Sequence, residues 1–439
     1  MKEVRKPDAV LAKLLPKVPL QPDVTYIPSQ FALPFEHRGK RYIFNNLTKQ
    51  CIEGELPASA RAGEGYDDLI AALCLVPEGK DECAYYNAIS ALVRAYSRKK
   101  AIRGYTILPT TACNARCVYC FEEGMKPVTM TPEVVEQTIR FIADASKGND
   151  VSLNWFGGEP LMRPEIIDRI CEGLREAGVA YSSGMITNGS LVTPGIVEKM
   201  AGAWKMRSLQ VSMDGAEEDY IARKNYPAYH DNYHRVIRAV RLMAEAGLRV
   251  TIRCNVDEDN WERIPAFLQD LSAAIPQKEK VRVYVSPLYQ IRAGEEDLAL
   301  WEKIRDGVKL IGSAGFRAGA AMSVEGVFRV AHCMADGGGV TIDADGSLYP
   351  CDHCMADTRM GDVFHGITDE AARQAFCRVD VTREKCRKCP FLPDCTSFSA
   401  CPVTDYHCRE ARELMAVASL EQMMDRKENE ETDEDKPVC

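Results

Sequence analysis

The chain has 439 residues, 46% hydrophobic and 27% charged, with a formal net charge of −9 at pH 7. The acidic balance argues against a general nucleic-acid binder, which needs a basic face, and no run approaches the ~18 apolar residues of a membrane span. Eighteen cysteines in a long chain without an export signal at Met1–Pro7 point to reduced thiols that serve metal in a cytoplasmic protein, not to a disulfide framework.

Residues 1–100 read as a first module. Ala32–Phe35 and Arg41–Phe44 flank the polar His37-Arg38-Gly39-Lys40, a hairpin signal. Helical spacing follows over Tyr66–Leu75 and Glu82–Arg98.

Over residues 101–315 strands and helices alternate. Strands are predicted at Tyr105–Leu108, Val151–Trp155, Met185–Thr187, Leu209–Met213, Val250–Cys254 and Val281–Ser286. Helices are predicted at Pro132–Ser146, Pro164–Gly178, Pro194–Ala203, Tyr233–Ala246, Trp261–Ala274 and Leu298–Ser313. Thr131-Pro132 and Thr193-Pro194 supply a hydroxyl cap and an early proline. The class is α/β: six such units make a parallel sheet, open or curled into a partial barrel. Its chemistry belongs at the strands' C-terminal ends.

Candidate site residues stand at those ends. After the first strand come Cys113, Cys117 and Cys120, spaced Cys-x3-Cys-x2-Cys. Cysteine thiolates hold iron–sulfur clusters, and a cubane has four metal corners, so three ligands leave one corner open. A zinc knuckle or three spare core thiols is the plainer reading. After the second strand, Gly157-Gly158-Glu159-Pro160 offers paired glycines for close approach of a ligand and a carboxylate for an ammonium group; an ordinary Gly-Gly turn is the alternative. Asn188 follows the third strand. Ser212 and Asp214 alternate off one face at the end of the fourth, where they suit a ribose or an amino acid, or merely end the strand. Arg253, on the fifth, is placed to pair with a ligand carboxylate or with a neighbouring loop.

Residues 316–415 are rich in turns and cysteines, with a hairpin signal at Val340–Asp343 and Leu348–Tyr349. Nine cysteines fall between Cys333 and Cys408. So few large apolar residues make a poor core, and metal would staple it. Residues 416–439 read as an acidic disordered tail.

Together these motifs resemble the radical S-adenosylmethionine (SAM) superfamily. Cys113, Cys117 and Cys120, with aromatic Tyr119, match its cluster loop. Gly157, Gly158 and Glu159 match its SAM-ammonium motif, and Ser212 its ribose- or carboxylate-contacting strand. Arg223 looks like the basic residue that follows, with Lys224 a rival because the spacing is about one residue short. The resemblance implies a partial (β/α)6 TIM-like barrel and a [4Fe–4S] cluster at its mouth whose open iron chelates SAM. An electron from the cluster would cleave SAM, and the 5′-deoxyadenosyl radical would take a substrate hydrogen. A reducing partner such as flavodoxin or ferredoxin would supply the electron.

Gly346-x4-Cys351 and Cys386-x2-Cys389-x5-Cys395 resemble the SPASM extension of such enzymes, which binds two auxiliary [4Fe–4S] clusters. By that analogy Cys386, Cys389, Cys395 and Cys408 hold one cluster. Cys333, Cys351 and Cys401 hold the other, completed by Cys354, Cys377 or nothing. The layout of the first module resembles the winged-helix domain that grips leader peptides of ribosomally made, modified peptides. These resemblances imply a maturase that installs an intramolecular crosslink, a cysteine thioether, in a precursor peptide. A carbon–carbon crosslink is the alternative. So is a sulfatase-maturing type that makes formylglycine, in which the residue matching Asp352 is a base.

Overall fold

A computed structural model describes residues 2–15, 19–97, 101–120, 123–124, 126–228, 232–288, 298–319, 324, 337–352, 358–377, 384–394 and 409–434. Cys333, Cys354, Cys395, Cys401 and Cys408 lie outside the described residues. The chain divides into two compact units. One comprises residues 99–321 and 333–377; the other comprises residues 1–98, 322–332 and 378–439. The expected separate C-terminal domain is therefore shared between the two units.

The larger unit holds the predicted alternation. Its strands are β1 (Gly104–Ile107), β2 (Val151–Trp155), β3 (Tyr181–Thr187), β4 (Met206–Ser212), β5 (Val250–Val256) and β6 (Val281–Pro287). They lie side by side in chain order, all parallel. Sequential parallel strands need crossover helices. These are α1 (Pro132–Ser146), α2 (Pro164–Glu176), α3 (Pro194–Ala201), α4 (Glu217–Lys224), α5 (Asn232–Glu245) and α6 (Ile264–Ala274), with α7 (Leu298–Ser313) after β6. Thr131 and Thr193 cap α1 and α3 by accepting hydrogen bonds from Val134 N and Ile196 N, both at 3.3 Å. The result is an α/β fold with a large parallel sheet, a partial barrel.

The strands alternate in a way that a fully covered parallel sheet would not. Leu209, Val211, Val250, Ile252, Val281 and Val283 are buried. The intervening Gln210, Ser212, Thr251, Arg253 and Tyr284 are less so, which gives the other face a polar lining. A further strand, β7 (Gly339–Ile342), pairs parallel with β1 on its open side and continues into the predicted hairpin with Ser347–Tyr349.

The smaller unit has a four-stranded antiparallel sheet in the order Lys2–Arg5, Gln50–Glu53, Lys40–Asn45, Ala32–His37. The predicted hairpin is its last pair, with Leu33 opposite Phe44. A helix, Arg409–Glu434, belongs to the same unit. The reading of residues 416–439 as a disordered tail is corrected for residues 416–434; residues 435–439 lie outside the described residues. Acidic residues dominate the helix's composition, but Ala416, Leu420, Met423 and Met424 recur at helical spacing and pack with Phe35, Tyr42 and Phe44. Replacing Leu420, which is 1% exposed, with alanine is expected to lower stability by about 2–5 kcal/mol. A chemical denaturation curve checks this.

Candidate active site

The cysteine triplet sits on the loop between β1 and α1. Its base is closed by hydrogen bonds from Thr111 N to Val128 O (2.9 Å) and from Met130 N to Pro109 O (3.0 Å). Cys113, Cys117 and Cys120 are all partly exposed and unbridged. Burial pushes the Cys113 thiol up to about 11, and the neighbouring Cys117, Cys120 and Glu159 push the same way. Burial also raises the Cys117 thiol, against the pull of Lys224. Three thiolates this close repel one another, and only a positive centre makes their joint ionisation favourable.

Among the described residues no three His, Cys, Asp or Glu side chains are grouped as a single metal ion requires. Three cysteine thiols on one short loop, none of them bridged, are the donor set of an iron–sulfur cluster.

The glycine pair lies directly beneath this loop. Gly158 N donates to Thr110 O (3.2 Å) and Glu159 N to Ala112 O (2.9 Å). A Cβ at Gly158 would fall 2.3 Å from Ala112 O, and one at Gly157 would fall 2.4 Å from Thr110 O. The close approach these glycines permit is therefore that of the loop's own stem, where the sequence suggested a ligand.

Glu159 is likewise turned to bracing. It is 0% exposed. One carboxylate oxygen accepts from Leu161 N (3.0 Å) and Thr187 Oγ1 (2.8 Å), the other from Asn188 N (2.8 Å). Burial raises its pKa, and these three donors oppose the shift. Its oxygens already accept from three of the protein's own donors, two on one oxygen and one on the other. Glu159→Gln would set an amide NH2 against a backbone N–H, at a cost of about 1–3 kcal/mol, visible as a lowered Tm. Asn188 continues the brace, donating to Asn114 Oδ1 (2.9 Å) and lying 3.9 Å from Cys113 Sγ.

On the opposite side, α4 carries the basic pair. Arg223 forms an ion pair with Asp257. Lys224 is the one that turns inward: its ammonium donates to Tyr119 OH (2.7 Å) and Ser212 Oγ (2.9 Å) and lies 3.3 Å from Asp214. Lys224 thus replaces Arg223 as the basic partner of Ser212. Tyr119 OH donates to Asp214, which also accepts from Asn255 Nδ2 at 2.8 Å. Burial holds the Tyr119 hydroxyl far above its usual pKa, in the protonated form. The acidic first turn and basic last turn of α4 were the sequence signal for this helix, which the predicted elements omitted.

Arg253 sits in register between Ser212 of β4 and Tyr284 of β6. Its Nε donates to Asn255 Oδ1 (2.9 Å), and among the described residues no carboxylate pairs with it. Asp352 Oδ1 is 3.4 Å from Cys351 Sγ. Cys386 and Cys389 form a turn, with Cys389 N donating to Cys386 O at 3.1 Å; they belong to the smaller unit, whereas Cys351 and Cys377 belong to the larger.

Comparison with known proteins agrees with this geometry. The profile of the radical SAM superfamily matches residues 107–271. An AdoMet-dependent heme synthase of Methanosarcina barkeri is 30% identical over 35% of this chain and 43% of its own length. A cysteine-type anaerobic sulfatase-maturating enzyme of Clostridium perfringens is 22% identical over 69% of this chain and 88% of its own. The chain spans about half the length of the first curated relatives it matches. In fold it is similar to Streptococcus suis SuiB bound to its precursor peptide SuiA, with a TM-score of 0.52 at 16% identity, covering 87% of this chain and 98% of SuiB. A cysteine loop closed over a glycine pair, at the end of the parallel sheet that this profile matches, marks residues 107–271 as a radical SAM superfamily domain.

Proposed function

We propose that the chain is a radical SAM maturase that installs an intramolecular crosslink, a cysteine thioether, in a ribosomally made precursor peptide. The observation that carries the radical chemistry is the triplet Cys113, Cys117 and Cys120, with no disulfide, on a loop fastened to the ends of β2 and α4. These three residues would hold a [4Fe–4S] cluster. When bound, the cluster supplies the electron that cleaves SAM and so opens hydrogen abstraction from the peptide.

The chain's own residues have separable tasks. Gly157, Gly158 and Glu159 hold the loop's stem. Ser212, Asp214, Tyr119 and Lys224 form the polar wall that orients SAM. Arg253, in line with Ser212, would receive a carboxylate. The peptide substrate is supported by the likeness to SuiB, and the small sheet of residues 1–98 would serve as the leader-recognition module. Two auxiliary clusters would occupy Cys386, Cys389, Cys395 and Cys408, and Cys333, Cys351 and Cys401, with Cys354 or Cys377 able to supply a further ligand. A flavodoxin- or ferredoxin-type reductant in the cytoplasm would feed the cluster.

A second reading is formylglycine formation. It is favoured by Asp352 beside Cys351 and by the likeness to the sulfatase-maturating enzyme. One experiment separates them: anaerobic incubation of the reconstituted enzyme with SAM, dithionite and a cysteine-bearing peptide, followed by mass spectrometry. A product lighter by two hydrogens with a blocked thiol is the expected result. An aldehyde would establish the second reading, and failure to release 5′-deoxyadenosine would overturn both.

A further inference from the structure

Charge is buried beside the middle cysteine in an arrangement that loop-holding alone does not require. The peptide groups on both sides of Cys117 are fastened to the end of α4: Arg116 N donates to Lys224 O and Val118 N to Arg223 O, each at 3.0 Å. Two residues on from Cys117, Tyr119 is tied to the ammonium of the same Lys224 and to Asp214. The Lys224 and Asp214 side chains are 3% and 0% exposed. The ammonium has three N–H donors, and Tyr119, Ser212 and Asp214 occupy them. Its position is therefore set, where a surface lysine would sweep through solvent.

We propose that Lys224 is a positioning residue that sets the reduction potential of the cluster held by Cys113, Cys117 and Cys120, with Asp214 as its opposing charge. This rests on the cluster reading given above. Adding one electron makes the cluster more negative, so a fixed cation nearby favours the reduced state and a fixed anion disfavours it. Burial removes most of the dielectric and salt screening that would erase such an effect.

The test is a potentiometric titration of the full-length protein, reconstituted with iron and sulfide and followed by EPR. The relevant signal is the one that changes when SAM is added. Lys224→Met is expected to cut the reduced-to-oxidised ratio at a given potential about tenfold, a shift of 59 mV toward negative values for one electron. Lys224→Arg keeps the charge and stays near wild type, while Asp214→Asn shifts the other way. Lys224→Met strands a buried carboxylate and is prone to misfold. The double variant Lys224→Met/Asp214→Asn leaves no orphan, and its potential should lie between those of Lys224→Met and Asp214→Asn.

Wild-type potentials in both Lys224→Met and the double variant would overturn the proposal. So would loss of the cluster from both while Lys224→Arg retains it, because the pair would then only hold the loop. Wild-type protein that takes up no iron or sulfide would instead overturn the cluster reading itself.

Discussion

Cys117→Ala is expected to bring SAM cleavage down to background, a fall of more than ~100-fold, which exceeds the loss from removing a residue that only orients a ligand. Cys117 is the thiol flanked by two backbone hydrogen bonds to α4, so its replacement removes a ligand while the loop remains fastened. Iron content and 5′-deoxyadenosine release, measured on the same preparation, report the two consequences separately. Cys389→Ala is the informative contrast. Cys389 belongs to the other compact unit, so that variant should keep SAM cleavage and lose peptide modification. Equal loss of cleavage in both variants would mean that the C-terminal thiols are needed for the barrel to fold.

The second large effect is expected from a single methyl group. At Gly158 the new Cβ would meet Ala112 O at 2.3 Å and Thr111 O at 2.5 Å, and both are backbone atoms. No rotamer change relieves such a clash. Either residues 157–159 or the stem of the cysteine loop must move, at roughly 1–3 kcal/mol or more for overpacking, and the hydrogen bonds from Gly158 N and Glu159 N go with it. Gly158→Ala should therefore lose its iron and with it most SAM cleavage. Gly195→Ala, in α3 with nothing within 4 Å of the added atom, should stay within about 0.5 kcal/mol of wild type. If Gly158→Ala retained full iron, the glycine pair would not be what seats the loop.

The barrel was legible because each strand and helix carries a strong period. Pro132–Ser146 and Leu298–Ser313 were predicted to the residue, helped in the first by its Thr-Pro start. Pairing was less legible. Nothing local in Gly339–Ile342 says that it lies beside β1, because pairing partners far apart in sequence leave no periodic mark. The helix Arg409–Glu434 was hidden by its charge, since composition over that segment outweighs four well-spaced apolar residues.

The cysteine loop was legible from spacing alone, but the choice between Arg223 and Lys224 was not. Adjacent helical residues point about 100° apart, so an uncertainty of one residue in spacing cannot decide which side chain reaches Ser212. Glu159 shows a different limit. Its motif marks the right place, yet whether a buried carboxylate serves a ligand or the protein's own amides depends on donors from β3 that no local pattern contains.

The pairing of β7 with β1 also constrains how this protein is made. The strand whose end opens into the cysteine loop keeps one bare edge until a segment far downstream arrives, with Ile342 finally docking beside Ile107. During synthesis that edge is a template for wrong partners, and contacts of such long range form late. Assembly of the inorganic centre is therefore coupled to completion of the sheet: a nascent chain released before Gly339 would display the thiols on an unfinished scaffold, open to oxidation and to aggregation.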